Sequence, residues 1–94
     1  MNHNDPQVLE GNALRVLAAA THAGGEPVAA ARLARDALDI LRPTGHRLGI
    51  AEVLGTLARA LSTSDPGAAR KCHKEAEMIL DEIGGSDTPP DPPT

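Results

Sequence analysis

The sequence predicts an all-α fold of four helices, paired as two antiparallel helix–turn–helix hairpins. Three observations carry that prediction. The chain reads twice: Ala30, Ala37, Ile40, Leu41 and Gly45 recur 39 residues later as Ala69, Ala76, Ile79, Leu80 and Gly84. Just upstream, Ala13, Leu14, Leu17, Ala18 and Ala20 recur 40 residues later as Val53, Leu54, Leu57, Ala58 and Ala60. A period near 40 built on small and branched residues marks stacked helical hairpins. Second, the chain contains no Phe, Tyr or Trp, so Ala and Leu must fill the core. Alanine buries little area, yet it is the best helix former and lets helices approach closely. Third, four segments carry apolar residues at helical spacing between recognisable start and stop signals.

The elements follow in order. Asp5-Pro6 opens the first, over residues 6–23, because a short carboxylate caps a helix start and proline fits its first turn. Gly24-Gly25 closes it. Glu26-Pro27 is a weaker start for the second, residues 27–42, which Pro43-Thr44-Gly45 ends. The third spans residues 46–62 and stops at Ser62-Thr63-Ser64. Asp65-Pro66 repeats the strong start for the fourth, residues 66–83, with Gly84-Gly85 read as its stop. Short joining loops make neighbouring helices antiparallel. After Gly85 the chain is rich in proline, which forbids a helix. The expected organisation is a two-repeat helical domain over residues 1–85 and a disordered, acidic, proline-rich tail over residues 86–94, read as a spacer.

Composition narrows function. Without aromatic rings the chain lacks the stacking platforms of single-strand and RNA binders. Its net charge of −4 opposes nucleic acid as well. That charge is local: Asp81, Glu82, Asp87 and Asp91 have no basic counterpart beyond Leu80, while the preceding residues are balanced. Cys72 is the only cysteine, which excludes an intrachain disulfide and fits a reducing compartment. No apolar run approaches the roughly 20 residues of a membrane span, and the N-terminus lacks the basic and apolar regions of a signal peptide. The expectation is a cytoplasmic protein with no direct nucleic-acid or membrane partner.

These residues resemble the tetratricopeptide (TPR) family, in the longer form found in large bacterial regulators. Leu17-Ala18 and Leu57-Ala58 fall where the family has a leucine followed by a small residue in its first helix. Gly25 matches the turn glycine, and Ala30, Ala37-Leu38, Ala69 and Ala76 match the second helix. The stretch from Ala37 to Ala51 resembles the inter-repeat junction in the C-terminal arrays of SARP-type and LuxR-type regulators. The match covers about residues 11–84. Thr21, Ala34, Leu61 and His73 stand where the family places large aromatics, and Asp65 where a turn glycine is usual. The resemblance implies a TPR-like superhelix and a non-catalytic protein–protein interaction module, regulatory in role, that binds a partner protein, a peptide or itself. The alternative it implies is the detached C-terminal sensor region of a transcription regulator of secondary metabolism.

In such arrays the first helix of each pair lines the concave face. The resemblance therefore places Asn12, Arg15 and His22 from the first repeat, with Glu52, Arg59 and Ser62 from the second, in a partner-binding groove. Arg15 and Arg59 are suited to an acidic partner, because guanidinium forks match carboxylates; the plainer alternative is two solvated arginines. A solenoid needs about three repeats to bury a continuous core, and this chain has two. Its exposed repeat ends lead us to expect a homodimer or docking on another protein, and the proline-rich terminus is read as the end of the array.

Other constellations carry less. His46, Cys72 and His73 offer metal-ligand chemistry, but adjacent helical residues point about 100° apart. Cys72 repeats the place of Leu33 and His73 that of Ala34, so they read as a buried thiol beside a packed histidine. No phosphate loop, metalloprotease helix or nucleophile elbow occurs, so neither enzyme, metal nor cofactor is expected. The fourth helix carries Arg70, Lys71 and Lys74 early and Glu75, Glu77, Asp81 and Glu82 late, against the helix dipole. That order fits either a tolerated solvent face or an antiparallel docking face for a second copy.

Overall fold

The computed structural model describes residues 5–87. Four helices occupy nearly all of them: α1 (Pro6–Ala23), α2 (Pro27–Leu41), α3 (Arg47–Leu61) and α4 (Pro66–Asp87). A 3-10 turn (Arg42–Thr44) joins α2 to α3. The helices α1 and α2 pack as one hairpin, α3 and α4 as the other, and α3 lies against both helices of the first. No strand occurs among the described residues. No helix among them is long and apolar enough to cross a membrane.

Each turn is set by local chemistry. The Asp5 carboxylate accepts from the Gln7 amide at 2.8 Å and caps α1. The helix closes in a Schellman turn, with Gly25 at φ 87°, the Glu26 amide donating to Thr21 O and the Gly25 amide to His22 O. Glu26 gives α2 no side-chain cap. At the centre of the molecule Gly45 takes φ 71°. There the Thr44 hydroxyl donates to Leu41 O at 2.6 Å and accepts from the His46 amide at 3.1 Å. His46 then caps α3, its Nδ1 accepting from the Gly49 amide at 3.1 Å. Asp65 caps α4 through the Ala68 amide.

One boundary differs from expectation. Gly84-Gly85 does not stop α4, which continues through Ser86 to Asp87. Glycine lowers helix stability without forbidding the helix, and Ile83, just before the pair, is packed against the core. The proline-rich residues 88–94 lie outside the described residues.

The core is built on small side chains. Ala18, Ala30, Ala34 and Ala37 are fully buried beside Leu41, Val53 and Leu54. Where α1 crosses α2, a Cβ on Gly11 would stand only 2.5 Å from Leu41 Cγ. Leu41 is itself fully buried and has no room to retreat. Gly11 thus leaves the space that the Leu41 side chain occupies.

Gly11→Ala is therefore expected to lose about 1–3 kcal/mol through overpacking, despite the ~1 kcal/mol advantage of alanine over glycine in a helix. Gly55 is the contrast, since a Cβ there meets nothing nearer than Arg59 Nη1 at 4.0 Å. Gly55→Ala should gain up to about 1 kcal/mol. Urea denaturation of the two variants checks both signs.

Candidate functional site

A groove of about 810 Å³ opens along α3, between α4 and the outer edge of α1. Its floor is small and apolar: Ala51, Gly55 and Ala58 from α3, with Ala69, Ala76 and Leu80 from α4. Its rim is charged: Arg15, Glu52, Arg59, Arg70, His73 and Glu77. The residues from α4 reach the groove because that helix is long and its start at Pro66 turns back along α3.

Of the six residues placed in a groove from sequence, Arg15, Glu52, Arg59 and Ser62 line this one. Asn12 and His22 lie outside its lining. Asn12 is half-buried at the α1–α3 crossing, with Oδ1 3.4 Å from where a Gly49 Cβ would sit. His22 is half-buried in the last turn of α1, where its carbonyl accepts in the turn. The α4 wall was missed because only the first helix of each pair was expected to contribute. The internal repeat held the missing signal, since Arg70, His73 and Glu77 occupy the places of Ala31, Ala34 and Leu38.

The rim charges are partly spoken for. Arg15 Nε lies 3.7 Å from Glu52 Oε1, close enough to attract but too far to bond, and that nitrogen is buried without an acceptor. Arg59 donates to Thr56 Oγ1 at 3.3 Å. His73 pairs with Glu77 at 3.4 Å when protonated. Arg70 makes no ion pair among the described residues. The groove thus presents Arg59 and Arg70 as its least committed cations.

His73 departs from expectation: it is exposed, not packed. Its counterpart Ala34 is buried, whereas nothing among the described residues covers the same place on α4. Cys72 is half-buried, and burial, with Glu75 adding to it, pushes its thiol pKa up against the opposing pull of Arg35 and Arg42. His46, used as a helix cap, is not near this pair in sequence or role. Among the described residues no group of three His, Cys, Asp or Glu side chains converges as a metal site would require.

The late acids of α4 also find partners within the chain. Arg42 forms a two-pronged pair with Glu75, at 2.8 and 3.1 Å, and Arg47 pairs with Glu82. Both arginines flank the turn between α2 and α3, so two rungs tie the inter-repeat junction to α4. The charge order that opposed the helix dipole is accounted for at Glu75 and Glu82. The Arg42 hydrogen bonds hold the Glu75 carboxyl below its ordinary range, outweighing burial, and Glu75 raises Arg42 in return.

Comparison with protein-family models, curated proteins and solved structures returns no significant match to the chain.

Two expectations follow from these groups. A depressed carboxylate contributes stability above its unfolded pKa and loses it as pH falls through the folded one. Stability should thus drop more steeply below about pH 4.5 in the parent than in Glu75→Gln, read by thermal melts. The difference stays within ~1 kcal/mol, because both side chains are half-exposed. Alkylation of Cys72 by iodoacetamide at neutral pH should run slower than that of a solvated cysteine, since the thiolate is the nucleophile.

Proposed function

We propose that the chain is a non-catalytic protein–protein interaction module, TPR-like in architecture and regulatory in role, whose groove along α3 and α4 receives a protein or peptide. The observation that carries this reading is the groove itself, with an apolar floor inside a charged rim. Buried apolar ground surrounded by polar groups is the anatomy of protein interfaces. Arg59 and Arg70 favour a partner that brings carboxylates, because a guanidinium fork pairs with them at two points. Arg15 contributes less than the sequence alone implied, since Glu52 already faces it. The resemblance of Ala37–Ala51 to the junctions of SARP-type and LuxR-type regulators supports a regulatory setting.

Panning a random peptide display library on the immobilised chain tests this. Peptides that carry carboxylates beside apolar anchors should be selected. Charge reversal by Arg59→Glu together with Arg70→Glu should weaken them at least about tenfold, near 1.4 kcal/mol. Failure to select any peptide that competes at the groove, or unchanged affinity after the reversal, would reject the acidic-partner reading.

A further inference from the structure

The two repeats share a pattern but not a burial. On α1, Leu9, Ala13, Val16, Leu17 and Ala20 form an exposed stripe at helical spacing, with the three large residues 51–57 % exposed. Forty residues on, their counterparts in α3 are Gly49, Val53, Thr56, Leu57 and Ala60. Every one of these is buried. All but Thr56, which borders the groove, lie away from it, so the face that α3 buries on that side is the face that α1 leaves open.

The opposite surface shows the complementary mismatch. Gly11, Ala18, Ala34 and Leu41, on the first hairpin, are buried in a structure where α3 packs over it. Their counterparts Ala51, Ala58, His73 and Leu80 all line the open groove; Ala51 and Ala58 stay buried there, while His73 and Leu80 are exposed. Leu41 is fully buried, while Leu80 is 46 % exposed. Among the described residues there are therefore one filled seat, an unfilled seat of related design, and an unpaired helix face of the kind that fills it.

We propose that the groove along α3 and α4 receives the exposed stripe of α1 from a second copy, so that copies join head to tail. This rests on reading the chain as an interaction module and names its partner at this groove. The contact α3 makes with α1 and α2 is its template, continued from one copy into the next. The second seat is shallower than the first. Arg70, His73 and Glu77 replace Ala31, Ala34 and Leu38, so the incoming helix meets a polar rim on α4 and, beside the buried Ala51 and Ala58, the exposed Leu80. Glu10 also stands where α3 has the buried Ile50. The association is accordingly weak and dependent on concentration. Because plug and socket are different surfaces, the contact is heterologous and builds a series or a ring rather than a closed pair.

Sedimentation equilibrium of the full chain, from tens of micromolar to millimolar, tests the proposal. The weight-average mass of the parent should climb with concentration. Leu17→Glu spoils the plug and Leu80→Glu the socket; both positions are exposed, and unchanged helicity and melting confirm that each variant folds. Each alone should stay at monomer mass. Mixed in equal amounts they should form a dimer and nothing larger, since one keeps an intact socket and the other an intact plug. Glu10→Ile should move the parent's association to lower concentration.

Several results would overturn the proposal. A Leu80→Glu chain that still self-associates would mean that α1 pairs with α1. Variants that fail to complement would exclude the head-to-tail geometry. A parent that stays monomeric, while a chain lacking residues 88–94 associates, would assign the groove to its own tail. A monomeric parent that still captures groove peptides defeats this proposal and leaves the interaction module standing. A monomer that captures none defeats both.

Discussion

Where α1 crosses α2, Gly11 leaves just enough space for Leu41, and the rest of the fold depends on that closeness. A chain without aromatic rings has no large side chain to span a gap between helices. It gains density by bringing backbones together over glycine and alanine, where many weak contacts accumulate at short range. Ala18, Ala30, Ala34 and Ala37 extend the same device along the hairpin, and their complete burial is its signature. Such a core gains little from the hydrophobic area of any one residue, so its fit carries more of the burden.

The same closeness explains why the two hairpins differ. In the first, Gly11 admits Leu41, which α1, α2 and α3 together enclose. In the second, Ala51 stands at the place of Gly11, and Leu80, at the place of Leu41, is left half in solvent. The polar residues of α4 then occupy positions that are alanine or leucine in α2. An α-helical repeat is thus not two copies of one environment. Each hairpin is defined by what packs on it, and among the described residues only the first is covered.

Charge organises the outer face in a complementary way. Arg42 and Arg47 bracket the central turn, and Glu75 and Glu82 reach them from positions about two turns apart on α4. Exposed pairs of this kind contribute little to stability individually, and they mark how α4 lies against the junction. That placement leaves Arg59 and Arg70, on the other side, as the cations with least internal commitment. The groove and the ion-pair ladder are therefore two consequences of one helix position.

Much of this was legible from residues alone. Asp5 and Asp65 cap their helices as their spacing before proline demanded, and Gly25 and Gly45 adopt the left-handed conformations that end helices. These signals are local, and local chemistry decides them. Gly84-Gly85 misled because glycine allows a helix to stop without requiring it, and α4 runs on to Asp87. The groove was half legible. Four of its residues followed from the expected concave face, whereas the α4 wall, the Glu52 neighbour of Arg15 and the exposure of His73 did not. By itself the sequence determined the helices, their pairing and the internal repeat, because periodicity and capping act within a few residues. Only the tertiary structure decided which copy of each repeated face is covered, because burial depends on the neighbour and not on the residue.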